Sequence, residues 1–288
     1  DDAIQEGAHT CVISYTAASS DPNFIVAATN HNVAVTDNDT AGITVSAITV
    51  TEGEAGIAMD VVLLSDPTGD VTLTFTPDAQ CTLSTNTLTF TGSTGATPWN
   101  TAQQVTVTAV DDAVQEGAHT CVISYTAASS DSNFTVAATN HPVDVVDNDA
   151  PGVFLAAVTV FEGRAGVPMN VRLFTEPTGD VTLTLAPDAQ CTLGPTTLTF
   201  TDSAGVAPWN IAQQVTVTAV DDLFVEASQH DCVLSVSATS ADANYNGAGA
   251  VFAGGVGAAF NQVTISITDN DQPGVAISQT LGTTEVSE

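Results

Sequence analysis

The sequence predicts an all-β chain of tandem antiparallel β-sandwiches arranged end to end. Three observations carry this expectation: a long internal repeat, an alternation of apolar residues with threonine at a period of two, and the lack of any helical stretch. Residues 1–31 recur as 111–141 with 28 of 31 positions identical, and a more diverged copy starts at Asp221. Repetition at this period means an array of similar domains, each stacked on its neighbours.

The elements follow in order along the repeat 42–149. Residues 43–50 and 57–64 read as its first two strands. Residues 71–75 (VTLTF), 87–91 (TLTFT) and 105–110 (VTVTAV) alternate apolar residues with threonine. Threonine is β-branched and suits a solvated strand face, so these segments read as half-buried antiparallel strands. Residues 119–127, 133–138 and 142–147 complete the set. Turn signals separate the strands at Glu52-Gly53, at 66–69 (DPTG) and between Gly92 and Pro98. About seven short strands in this span argue for an immunoglobulin-like sandwich. Trp99 and Trp209 each precede a long strand and read as core or edge packing residues.

The repeat register sets the boundaries. Gly42 recurs as Gly152 and Gly274, so the complete repeats are expected at 42–149 and 152–271. Residues 1–39 then form the C-terminal half of an earlier repeat, and 274–288 the first strand of a following one. The chain reads as a window on a longer repetitive protein. A Gly/Ala-rich insertion at 247–259 reads as a longer loop between the last two strands of the second complete repeat.

Charge is strongly one-sided: 33 acids against two arginines, no lysine, and a formal net charge of −31. That balance excludes nucleic acid and an anionic membrane surface as partners, because both need a basic face. No apolar run approaches the roughly 20 residues of a membrane span, so no membrane insertion is expected in this segment. The acids are clustered. Each copy opens on two aspartates and a glutamate (Asp1, Asp2, Glu6; Asp111, Asp112, Glu116; Asp221, Asp222, Glu226). Each then closes on an Asp-Asn-Asp run (Asp37, Asp39; Asp147, Asp149; Asp269, Asp271). Recurring acid clusters with almost no base to neutralise them point to a bound hard cation; capped surface turns are the plainer alternative.

The cysteines fall on the same register. Cys81 and Cys121 lie 40 residues apart, Cys191 and Cys232 lie 41 apart, and Cys11 is the counterpart of Cys121. One disulfide per repeat is expected, Cys81–Cys121 and Cys191–Cys232, which places the chain in an oxidising compartment, outside the cell or on its surface. A reduced metal site built on His119 and Cys121 is the alternative.

The segments 88–91 (LTFT), Trp99-Asn100, 103–112 (QQVTVTAVDD), Glu116-Gly117 and 147–149 (DND), with the early 51–53 (TEG), resemble the Calx-β repeat. More closely, they resemble the Calx-β-like tandem arrays of large bacterial and archaeal surface proteins. The resemblance implies a seven-stranded sandwich that binds Ca²⁺ at one tip. Carried over position by position, it implies Glu52, Asp111, Asp112, Glu116, Asp147 and Asp149 as ligands in the first complete repeat. In the second it implies Glu162, Asp221, Asp222, Glu226, Asp269 and Asp271. The partial copy retains Asp1, Asp2, Glu6, Asp37 and Asp39. One departure stands out: the family's Gly-Thr-Ala…Gly-Xaa-Asp-Tyr segment is absent, and Pro77-Asp78-Ala79-Gln80 replaces it. Asp78 and Asp188 are candidates to stand in for the missing ligand.

The chain shows no catalytic constellation. Its five histidines fall at repeat-equivalent positions (His9, His119, His230; His31, His141) and read as scaffold or surface features. The paired acids recur with every repeat and have no aromatic-lined cleft beside them, unlike those of glycosidases. The leading functional expectation is a calcium-stiffened structural repeat of a microbial fibre, stalk or surface layer. Its partners would be neighbouring repeats of the same chain and, in a fibre, like chains. An adhesin module and a regulatory calcium sensor are the alternatives.

Overall fold

A computed structural model describes residues 2–246 and 262–274. The expectations for Asp1, for the insertion 247–259 and for nearly all of the strand at 274–288 fall outside the described residues. The described strands are β1 (His9–Ala17), β2 (Val26–Val35), β3 (Ile43–Val45), β4 (Thr49–Thr51), β5 (Ile57–Leu63), β6 (Val71–Pro77), β7 (Cys81–Leu83), β8 (Thr87–Phe90), β9 (Gln103–Ala109), β10 (His119–Ser129) and β11 (Val136–Val146). There follow β12 (Val153–Leu155), β13 (Thr159–Phe161), β14 (Val167–Leu173), β15 (Val181–Pro187), β16 (Cys191–Gly194), β17 (Thr197–Phe200), β18 (Gln213–Ala219), β19 (His230–Ser240) and β20 (Gln262–Thr268). The chain divides into two compact units, 1–112 with 116–148, and 113–115 with 149–288.

In the first unit, a five-stranded sheet β4-β11-β10-β6-β8 faces a four-stranded sheet β3-β5-β9-β7. These are seven strands drawn as nine segments, because two strands change sheet midway. The predicted single strand 43–50 breaks at Ser46: β3 pairs antiparallel with β5, whereas β4 pairs parallel with β11. Ser46 holds the break, donating its N–H to the Asp60 carbonyl at 2.9 Å and accepting the Asp60 N–H on Oγ at 2.8 Å. In the same way β7 joins β9 and β8 joins β6. The predicted strands 133–138 and 142–147 are one strand, β11, preceded by a short 3-10 turn at Ser132–Phe134. Pro142 lies inside it, opposite Val122. β4 joins the outer edge of β11 only from Asp144 onward, so Pro142 sits where the lack of an N–H is tolerated.

Alternation does the packing. Val71, Leu73 and Phe75 point inward from β6, Val105 and Val107 from β9, and Cys121 and Ile123 from β10, all buried, while the intervening residues face solvent. The disulfide Cys81–Cys121, with Cα atoms 5.9 Å apart, ties β7 of one sheet to β10 of the other. Trp99 packs against this core and donates its indole N–H to Ser93 Oγ at 3.1 Å. The 3-10 turn is capped by Asp131, whose carboxylate accepts the Asn133 N–H at 2.9 Å and both the N–H and hydroxyl of Thr68 at 3.0 Å. Burial alone would raise the Asp131 pKa, but these hydrogen bonds outweigh it and hold the group below its usual value.

The ribbon β1-β2 repeats the β10-β11 register pair for pair, including the irregularity at Tyr15/Ala17 and Tyr125/Ala127. Ile13 is 51% exposed, yet its counterpart Ile123 is fully buried. Burial at this position therefore comes from the facing sheet and not from the hairpin itself. The ribbon is bound to the first sandwich: Asp66 N–H donates to the Ala3 carbonyl at 2.7 Å, Ala41 N–H to Gln5 Oε1 at 2.6 Å and Asn133 Nδ2 to the Gln5 carbonyl at 3.1 Å.

The second unit has the same two-sheet plan, β13-β20-β19-β15-β17 against β12-β14-β18-β16, with the Cys191–Cys232 disulfide again tying the sheets. Tyr245 replaces Phe134 in the core, and its hydroxyl is fully engaged, donating to the Thr175 carbonyl at 3.0 Å and accepting the Thr175 N–H at 3.1 Å. Arg172 lies over the rings of both Phe154 and Phe174, 5.2 and 5.3 Å from their centroids.

Candidate functional site

Three strands end at one tip of each sandwich, and the inward-facing row of each continues past the apolar core as a polar residue. On the β4 path, Val50 is buried, Thr51 is partly exposed and Glu52, two residues beyond Val50, is 2% exposed. The Glu52 N–H donates to the Val146 carbonyl at 3.1 Å, extending the ladder by one residue. On β10 the inward row Ile123, Cys121 reaches His119; on β11 the row Val143, Val145 reaches Asp147. The second unit repeats this with Val160 and Glu162, Cys232 and His230, Ile267 and Asp269. Period-two geometry thus places a glutamate, a histidine and an aspartate on top of the core.

The intervening loops complete the tip. In the second unit, Asp269 accepts the Asp271 N–H at 2.7 Å and the Glu226 N–H at 2.8 Å. Asn270 Nδ2 donates to Asp221 at 2.9 Å, and the second aspartate, Asp222, caps its own turn by accepting the Phe224 N–H at 2.7 Å. In the first unit, Asp147 accepts the N–H groups of Glu116 and Gly117 at 2.9 and 2.7 Å. Asn148 Nδ2 reaches both the Glu52 carbonyl at 2.9 Å and Asp111 at 3.1 Å. Gly53 has φ +70°, and a Cβ there would stand 2.7 Å from Asn148 Nδ2, so close packing and a left-handed backbone both call for glycine. Asp112 lies in the same loop, and Asp149 opens the main segment of the second unit. In the partial copy Asp2, Glu6, His9, Asp37 and Asp39 line an open cavity of about 180 Å³.

The electrostatics are lopsided. Burial, then the charge of Asp147, pushes the Glu52 carboxyl above its ordinary value; His119 opposes this, and Asp112 and Glu116 reinforce it. Glu162 is raised by burial and then by Asp269, and Asp271 by burial and then by Asp269, Asp221, Asp222 and Glu226. Asp37 and Asp269 go the other way, held low first by the N–H of Asp39 and of Asp271 respectively. The Glu52 and Glu162 Oε2 atoms are buried with no hydrogen-bond partner. An orphaned buried carboxylate oxygen facing further carboxylates is the environment a divalent cation satisfies, so the donor set fits Ca²⁺.

The histidines, read from sequence as scaffold or surface features, lie within the cluster. His119 Nε2 is 3.3 Å from Glu116 and 3.7 Å from Glu52; His230 Nε2 is 2.9 Å from Glu226 and 3.5 Å from Glu162. Gln80 and Gln190, also missed, donate to Glu116 and Glu226 at 3.0 and 3.3 Å. The recurrence of histidine three or four residues after the glutamate was the available signal. Asp78 spends both carboxylate oxygens on backbone, accepting from Gln80 N–H at 3.0 Å and Val122 N–H at 2.8 Å, and Asp188 does the same with Gln190 and Val233.

By sequence the chain matches no protein-family model and no curated protein. Among solved structures it is similar to CBD12 from CALX1.2, with 13% identity over 78% of this chain and 98% of that one, at a TM-score of 0.31. It is similar also to the protocadherin γB4 extracellular domain (12% identity, 92% and 38% covered, TM-score 0.32) and to the Escherichia coli chaperone DraB (9%, 79% and 97%, 0.28). Fold and site together define a class: tandem, disulfide-tied immunoglobulin-like β-sandwiches with an acidic tip.

Proposed function

We propose that this chain is a segment of a calcium-stiffened structural rod, an extracellular repeat of a fibre, stalk or surface layer, with no catalytic role. The single observation that carries the reading is the buried glutamate of each sandwich, Glu52 or Glu162, with one oxygen unpartnered among further carboxylates. A carboxylate so placed costs free energy without a cation, so Ca²⁺ would contribute directly to the stability of the folded state. The proposed ligands are Glu52, Asp111, Asp112, Glu116, Asp147 and Asp149, then Glu162, Asp221, Asp222, Glu226, Asp269 and Asp271.

The repeats are proposed to run 42–149 and 152–271, with 1–39 the back half of another. On those bounds the acid tip would lie beside the linker that follows each repeat; within the first unit, Ala3 and Gln5 hydrogen-bond the ribbon to Asp66, Ala41 and Asn133. An ion bound there would turn a short linker into a stiff joint. Disulfides persist in oxidising surroundings, which supports a secreted or surface location. Small-angle X-ray scattering of this chain in Ca²⁺ and in EDTA tests the proposal. A narrow distribution of maximum dimensions in Ca²⁺ that broadens in EDTA, with strand content retained, is expected; identical profiles would refute the stiffening role.

A further inference from the structure

Beyond Ca²⁺, we propose that the histidine side of each tip is a Zn²⁺-class transition-metal site: Glu52, Glu116 and His119 in one unit, Glu162, Glu226 and His230 in the other. The inference shares glutamates with the calcium reading but does not rest on it. Each triad offers one ligand atom per residue, all mutually within 4.8 Å. Zn–N and Zn–O bonds of about 2.0–2.2 Å give a tetrahedral edge of roughly 3.3–3.6 Å. The imidazole-to-carboxylate distances of 3.3 and 3.7 Å, and of 2.9 and 3.5 Å, bracket that edge.

The tautomer makes the case. His119 Nδ1 lies 2.9 Å from the Gly117 carbonyl, which can only accept, so Nδ1 carries the hydrogen. In the neutral ring, Nε2 then presents a lone pair to two carboxylate oxygens that also only accept. Glu52 Oε2 is buried without a hydrogen-bond partner. Metal-binding histidines are oriented by donating the other ring N–H to a backbone carbonyl, carboxylate or water. Imidazole is a preferred ligand of Zn²⁺ and its neighbours and a poor one for Ca²⁺, which takes oxygen. Gly117, at φ +73°, lets the loop turn so that its carbonyl meets the ring.

The second triad lacks the anchor. One more residue separates Glu226 from His230 than Glu116 from His119, and His230 Nδ1 has no hydrogen-bond partner. Loss of such an outer partner typically costs 10–100-fold in metal affinity. The partial copy has Glu6 and His9 but no described counterpart of Glu52. Two Zn²⁺ sites are therefore expected among the described residues, the first triad binding at least tenfold more tightly.

The test is equilibrium dialysis of the metal-free chain against Zn²⁺, with Co²⁺ as the visible probe and Ca²⁺ melting measured on the same samples. The double variant H119A/H230A should bind Zn²⁺ at least tenfold more weakly while keeping its Ca²⁺-dependent melting shift. Wild-type Zn²⁺ affinity in the variant would overturn the proposal, and so would no wild-type binding at micromolar Zn²⁺. Zn²⁺ binding without a Ca²⁺ response would support the triads and refute the calcium reading alone. Should the variant fail to fold, ¹⁵N shifts of the wild-type rings decide: a Zn²⁺-induced move at Nε2 of His119 supports the site, and an unmoved Nε2 refutes it.

Discussion

Replacing the buried glutamate of each unit by its amide, Glu52→Gln with Glu162→Gln, should have opposite effects with and without calcium. At an effective dielectric constant of about 20, two carboxylate charges within 4.8 Å of one another repel by at least about 3.5 kcal/mol. Glu116 is 27% exposed and solvent screens part of the repulsion, so roughly 1–2 kcal/mol per unit remains at neutral pH. In EDTA the double variant should therefore be more stable than wild type, with a melting rise of about 5–10 °C for domains of this size. In millimolar Ca²⁺ the order should reverse, because the variant has lost the ligand nearest the core. Differential scanning calorimetry of both proteins in both buffers gives the four midpoints. A variant destabilised equally in both would refute the reasoning, since Glu52 would then be an ordinary buried acceptor.

Three further outcomes follow from the same structure. For metal-free protein, Glu52 and Glu162 have folded pKa values above the 4.5 of the unfolded chain, so the stability they contribute is complete below that value and is lost as pH rises through the folded value; Asp37, Asp131 and Asp269, held below 3.8, lose theirs on acidification through their folded values. Urea titrations should thus show EDTA-treated protein losing stability from about pH 4.5 upward, and Ca²⁺ abolishing the loss; a flat profile in EDTA contradicts it. Reducing Cys81–Cys121, which closes a loop with a sequence separation of 40, should cost about 3–4 kcal/mol in chemical denaturation. Gly53→Ala should cost about 1–2 kcal/mol through its left-handed backbone and raise the Ca²⁺ concentration needed for half-stabilisation, by displacing Asn148 from Asp111; unchanged calcium dependence would contradict that role.

The strands were legible because threonine alternation reports directly on which residues face solvent. The disulfides were legible because the repeat register pairs the cysteines without any geometry. Sheet membership was not: residues 43–50 keep their alternation while changing partners, and alternation says nothing about which strand lies alongside. The short β7 carries too few residues for any period to show. Pro142 signals a break in sequence, yet an edge position absorbs it. At the tip, the acids were visible as motifs, whereas His119 looked like scaffold. Its place emerges only when the inward rows are extended by one step, from Val50 to Glu52, from Cys121 to His119 and from Val145 to Asp147. The bridging role of Asn148 and Asn270 likewise depends on loops that meet only in the folded chain.

If the acids at the tip hold an ion, the fold depends on that ion. A thermal melt of this chain in low-salt buffer, in excess EDTA and at Ca²⁺ a hundredfold above its dissociation constant, tests it most directly. Binding at that level stabilises by about 2.7 kcal/mol per site, so a midpoint about 10–20 °C higher in Ca²⁺ is expected. An unchanged midpoint would rule out a stabilising ion at the tip.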